Sequence, residues 1–196
     1  VTSFQAPDNE YPLFSNFSET PANNSAYALN QIYQFNATIT STNSTAEIEF
    51  NGVNYTANNH TTNIYNISIS NLAAGTYAYY WHAFGNGTNR NYNTSQTRFY
   101  TISKAQQSLT PLLNGNNANL IITYPQQINA SYNGANQTPL LININGTVIP
   151  ISANITFAAG GWVVNYSASE NQNHTAFIAY LNLTINKAQS EVNLTL

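Results

Sequence analysis

Apolar residues in this chain recur at every second position rather than at helical spacing. In 33–40, Tyr33, Phe35, Ala37 and Ile39 alternate with Gln34, Asn36, Thr38 and Thr40, and in 65–70, Tyr65, Ile67 and Ile69 alternate with Asn66, Ser68 and Ser70. A period of two puts each set on one face of a strand, apolar inward and polar outward. Two segment pairs, 46–50 with 53–57 and 140–144 with 147–151, flank Asn51-Gly52 and Asn145-Gly146, the residue pair that favours a tight hairpin turn. The segment 11–17 reads as an edge strand because Pro12 cannot donate to a ladder. The segment 25–31 reads as a loop. The aromatic run 77–84 leads through a polar loop, 85–95, to a closing strand, 96–103. Strands at 120–123 and 127–131 and a closing strand at 177–185 repeat the plan. About seven short strands per unit, and no helical period, predict an all-β protein of two tandem Ig-like, fibronectin-type-like β-sandwich domains.

The division comes from a repeat. Thr101-Ile102-Ser103-Lys104-Ala105-Gln106 returns 83 residues later as Thr184-Ile185-Asn186-Lys187-Ala188-Gln189. The first copy ends one domain and begins the next, giving a polar tail at 1–10 and domains at 11–104 and 105–187. After the second copy, Val192, Leu194 and Leu196 share one face and Asn193 and Thr195 the other. Such a strand without a partner invites pairing. Residues 188–196 therefore either donate a strand to a neighbouring copy in a head-to-tail polymer or begin a third in-chain domain. Val192, Leu194 and Leu196 are the expected subunit joint, and the receiving groove is expected in the first domain.

Composition narrows the partners. Charged residues make up only 6%, and Lys and Arg together number four, too few to neutralise nucleic-acid phosphates or anionic lipid. With no Cys there is neither a disulfide framework nor a thiolate metal site. No apolar run approaches the roughly 18 residues of a membrane span, the longest being 157–164. A sequence opening at Val1 without a charged, apolar leader fits a processed, extracellular chain, and equally a segment cut from a longer one.

The motif that stands out is Asn-x-Ser/Thr, the N-glycosylation acceptor. With 34 Asn and 38 Ser plus Thr, chance gives about 7 such triplets. The chain has 17, starting at Asn16, Asn23, Asn36, Asn43, Asn54, Asn59, Asn66, Asn86, Asn93, Asn129, Asn136, Asn145, Asn154, Asn165, Asn173, Asn182 and Asn193. The Asn and its hydroxyl residue are two apart and so share a strand face, opposite the apolar set. Covalent N-linked glycans on the outer sheet faces are expected, and no other cofactor.

Leu72-x-x-Gly75-x-Tyr77, leading into a strand, resembles the corner motif of Ig-like and fibronectin-type sandwiches, in which a Tyr hydroxyl ties the corner to upstream backbone. The longer pattern 72–81 and the Thr-Ile-Asn-Lys-Ala of 184–188 resemble tandem Ig-like repeats of archaeal cell-surface proteins. In composition, size and unpartnered last strand the chain is similar to the glycosylated thread-like filaments of thermoacidophilic archaea, whose subunits join by donor strands. The resemblance covers the chain from about residue 11 onward. It implies fold and cell-surface location more than activity, because such sandwiches host unrelated roles. Trp162 stands where the second corner would want Tyr77's counterpart, which implies that the hydroxyl tie is missing there.

Catalytic chemistry is sparse. Glu47 and Glu49 share an outward strand face about 7 Å apart, glycosidase-like in spacing but expected to lack a cleft. His60 and His174 are expected in loops and His82 facing outward, with no carboxylate at metal-ligand spacing. Lys104 and Lys187 read as caps of the inter-domain turn rather than as crosslinking residues. Tyr77, Tyr79 and Trp81 are expected in the core and Tyr80 outward, so a glycan-binding module, with surface glycans as partners, turns on whether Tyr80 and its neighbours form an exposed platform. The expected function is structural, not enzymatic: an extracellular filament subunit.

Overall fold

The computed structural model describes residues 8–134 and 139–190, all in strands, turns and loops. The chain divides into two compact units, Val1–Lys104 and Ala105–Leu196.

The described residues of unit 1 form nine strands: β1 (Leu13–Thr20), β2 (Ile32–Thr40), β3 (Thr42–Phe50), β4 (Val53–Thr56), β5 (Asn58–Thr61), β6 (Ile64–Ser70), β7 (Gly75–Gly85), β8 (Tyr92–Thr94) and β9 (Arg98–Ile102). One sheet runs β1-β2-β6-β5 and the other β4-β3-β7-β8, with β9 also on β7. Alternation aims Tyr33, Phe35, Ala37 and Ile39 of β2 at Ile48 and Phe50 of β3, Tyr79 and Trp81 of β7 and Tyr100 of β9, all buried. Phe35 lies 5.1 Å from each of the Phe50, Tyr79 and Tyr100 rings, so a single side chain bridges the two sheets. The polar tail expected at 1–10 is docked from Asp8 onward: Asn89 N–H donates to Asp8 Oδ2 at 2.7 Å, and Asn91 Nδ2 donates to the carbonyls of Asp8 and Glu10.

The described residues of unit 2 form eight strands: β10 (Leu109–Leu113), β11 (Leu120–Thr123), β12 (Ile128–Gly134), β13 (Leu140–Ile144), β14 (Thr147–Ile149), β15 (Asn154–Ile155), β16 (Gly160–Ala168) and β17 (Phe177–Asn186). Its sheets run β10-β12-β15 and β11-β17-β16-β13-β14. Leu113, Ile128, Ile142, Val164, Tyr166 and Leu183 fill the space between them. Both Asn-Gly pairs turn their hairpins with positive φ at each residue, 50° and 82° at Asn51 and Gly52 and 47° and 85° at Asn145 and Gly146. That is the turn whose twist matches the flanking strands. Each unit is thus an Ig-like sandwich of two sheets, with antiparallel strand pairings throughout except where β11 lies beside β17.

Candidate glycan-bearing faces and sheet edges

Because the acceptor asparagines alternate with core residues, none of the described ones is buried. Asn16, Asn23, Asn54, Asn59, Asn86, Asn145, Asn154 and Asn182 are exposed, and Asn36, Asn43, Asn66, Asn93, Asn129, Asn165 and Asn173 are half-buried. Asn136 and Asn193 lie outside the described residues, as do Val192, Leu194 and Leu196. On the outer face of the first sheet, Ser18, Asn36, Asn66 and Asn58 stand in one transverse row across four strands. Asn66 Nδ2 donates to Asn36 Oδ1 at 2.6 Å, and Asn36 Nδ2 donates to Ser18 Oγ at 3.4 Å. Some acceptors are therefore also structural amides, which a local triplet cannot reveal.

Both corners are tied. Tyr77 OH donates to Ala73 O at 2.8 Å. In unit 2, Trp162 Nε1–H donates to Ala158 O at 3.1 Å, four residues upstream as before. The second corner thus has no hydroxyl tie, as expected, but it is not untied: the indole N–H supplies a donor in the hydroxyl's place. Tyr77→Phe keeps the ring and removes only the donor, so it should cost about 1 kcal/mol in denaturant unfolding. Trp162→Phe removes the donor together with part of the ring system packed on Phe157, so it should cost at least as much. Neutrality at both sites would show the ties to be incidental.

The outward face of β3, β4 and β7 is more organised than alternation suggests. His82 does point outward, yet it is only 7% exposed. Tyr80 and Tyr92 pack against it at 5.9 and 5.8 Å, Asn54 Oδ1 lies 3.3 Å from its Nε2, and Glu47 Oε2 lies at 3.6 Å. Tyr80 OH donates to Glu49, and that hydrogen bond, ahead of burial, raises the Tyr80 pKa. Glu47 and Glu49 thus serve different partners. Contrary to expectation, a groove does open beside Glu47, about 670 Å³ in volume, where a bulge at 43–45 parts β3 from β7. Tyr80 is half-buried and forms no platform, whereas Phe84 and Tyr92, 44% and 49% exposed, pack together at 5.3 Å near that groove. His60 lies in β5 rather than in a loop. Among the described residues no three His, Asp or Glu side chains come together as a metal site.

Edges decide where strands can be added. The segment 24–27, expected as plain loop, runs parallel to β9 through Asn24 N–H to Thr101 O (2.8 Å), Ser103 N–H to Ser25 O (2.9 Å) and Tyr27 N–H to Ser103 O (2.8 Å). In unit 2, β11 runs parallel to β17 over four residue pairs. Side-chain amides plug what remains. Asn23 accepts from Thr101 N–H at 2.8 Å and donates to Phe99 O at 3.2 Å, and Asn119 Oδ1 accepts from Asn182 N–H at 2.8 Å.

Two edges are less complete. β1 buries none of its residues, holding only Phe14, Phe17 and Glu19 half-covered, and among the described residues it has no partner strand on the side away from β2. A groove of about 370 Å³ runs between Pro12, Leu13, Phe14 and Phe17 and the segment 93–98. In unit 2, β15 is two residues long, where β6 of unit 1 has seven. Lys104 and Lys187 are both exposed, not set in a core as a crosslink would require.

No protein family and no curated protein matches this chain. Among solved structures it is similar to the fibronectin(III)-like modules of CbhA from Clostridium thermocellum, at 14% identity and a TM-score of 0.36 over 94% of this chain and 100% of that one. It is also similar to the I9-I11 tandem of titin, at 12% identity and a TM-score of 0.33 over 84% and 64%, and to a chimeric titin Z1Z2-Z1Z2 tandem, at 11% and 0.29 over 89% and 100%. The assignment of two Ig-like sandwiches rests on the strand orders given above.

Proposed function

We propose that this chain is a structural subunit of an extracellular, heavily N-glycosylated filament of the archaeal thread-like kind, whose copies join when Val192, Leu194 and Leu196 add a strand to the next copy. One observation carries this reading. In the repeat register these residues correspond to Leu109, Pro111 and Leu113, three of the four positions of β10 that are buried in unit 2, Leu112 being the fourth. The segment thus has the side-chain pattern of a first strand that closes a sandwich. Burying a Val or Leu fully is worth about 1.5–3 kcal/mol, so three of them plus a strand's hydrogen bonds make a durable joint. The receiving site we favour is the groove along the outer edge of β1, whose own side chains cover the core poorly.

Electron microscopy of the native material and of a chain ending at Lys187 tests this. Filaments of the full chain that vanish on removal of 188–196 support strand donation. A truncated chain that assembles equally well, or a full chain that stays monomeric, means that 188–196 begins a further in-chain domain of a multi-repeat surface protein. A second reading, a glycan-binding module, draws on the exposed Phe84–Tyr92 pair beside the Glu47 groove, since pyranose rings stack on exposed aromatic faces.

A further inference from the structure

We infer that the acceptor asparagines fall into two groups, sugar carriers and structural amides, and that Asn86 and Asn129 belong to the second. This rests on the N-glycosylation reading above and refines it. In N-glycosylation the Asn Nδ2 attacks C1 of a phosphate-linked sugar donor. The Nδ2–C1 bond forms, the C1–O bond breaks with its electron pair leaving on the phosphate, and one Nδ2 proton passes to a base. The product amide keeps a single N–H, so an Nδ2 that already spends both hydrogens on protein acceptors must give one up.

Asn129 spends both. Its Nδ2 donates to Ser152 O at 2.8 Å and to Asn154 Oδ1 at 3.1 Å, while its backbone N–H donates to Asn114 Oδ1 at 2.7 Å. These bonds lie where β12 pairs with only the two residues of β15, at Ile128 and Asn129. The amide does there what a longer strand's backbone would do. Asn86 is likewise committed: its amide end lies against two acceptors, Ser41 O at 3.3 Å and Glu10 Oε2 at 2.8 Å, which assigns the nitrogen rather than the oxygen to that end and ties the residue after β7 to the end of β2 and the segment ahead of β1.

Asn59, Asn145 and Asn182 are the opposite case. Their side chains are exposed and have no hydrogen-bond partner among the described residues. Asn145 sits at a hairpin tip, Asn59 on the all-exposed strand β5, and Asn182 on the outer face of β17. Asn54 and Asn154 engage only Oδ1, as acceptor or His82 contact, and leave Nδ2 available.

Site-resolved glycopeptide mass spectrometry of the native protein tests the division. Occupancy at Asn86 and Asn129 should be about tenfold below that at Asn59, Asn145 and Asn182, the factor expected for one lost hydrogen bond. Equal occupancy across the five overturns the inference and leaves the glycosylation reading standing, whereas sugar at none of them overturns both. A second measurement uses the full chain made in a host without N-glycosylation. There Asn129→Ala should lower the Tm by several degrees and Asn182→Ala should leave it unchanged, and an unchanged Tm for Asn129→Ala removes the structural role.

Discussion

Trp81→Ala should lower the unfolding free energy of unit 1 by about 3–5 kcal/mol, the largest effect expected of any single substitution here. The indole has no exposed surface, sits mid-way along β7 opposite Ile48 of β3, and lies in the layer closed by Phe35. Its Nε1–H has no hydrogen-bond partner among the described residues, so the loss is one of packing alone. Trp81→Phe, which fills much of the same space and removes that orphan donor, should cost less than half as much. Denaturant titration followed by circular dichroism reads both. A Trp81→Ala protein within about 1 kcal/mol of the parent would place the indole outside a rigid core. The equivalent residue of unit 2 is Tyr166, which is also fully buried but spends its hydroxyl on Leu112 O at 2.7 Å.

The second large effect is an asymmetry in pH. Burial pushes the hydroxyls of Tyr100 and Tyr166 up to about 12, and raises those of Tyr33 and Tyr79 as well. From about pH 10 upward the unfolded chain releases protons that the folded one retains. The stability these groups contribute is therefore complete below pH 10 and is lost as the pH rises toward the folded values. Two hydroxyls displaced by about two units cost on the order of 2–3 kcal/mol each, against a typical total of about 5–15. On the acid side, backbone N–H donors from Asn89 and Glu10 lower the Asp8 pKa, so its contribution is present above the usual 3.8 and fades only below it. Thermal melts should give a Tm nearly level from about pH 5 to 9 and falling steeply between about 10 and 12. A fall between pH 7 and 4 as large as that between 10 and 12 would contradict the account.

The elements that could be read from sequence are those whose cause is local. Asn51-Gly52 and Asn145-Gly146 specify their turns by residue type, and the alternation of Tyr33 to Ile39 specifies which face of β2 is buried. The segment 24–27 and the three-residue β8 could not be read, since neither alternates and each is held by backbone partners some 10 to 80 residues away. The same holds at the candidate sites. A sequon is three residues long, but whether its amide is free depends on Ser152 for Asn129 and on Glu10 for Asn86. At the second corner the lack of a hydroxyl is legible in Trp162, but the substitute tie is not, because geometry asks only for an N–H or O–H donor at that reach. His82 shows the converse, its face foreseen and its burial set by Tyr80 and Tyr92.

The parallel contact between an early segment and the last strand, 24–27 on β9 and β11 on β17, also governs how each unit answers a pull. Paired strands that run in the same direction leave the patch at opposite ends. Tension between a unit's two ends therefore acts along the strands and loads all the bridging hydrogen bonds at once, instead of peeling them one after another. Resistance to stretching is in this way built into the order of the strands, and it grows with the length of the parallel patch: three backbone bonds in unit 1, and a four-pair ladder extended by Tyr124 N–H to Asn186 O in unit 2.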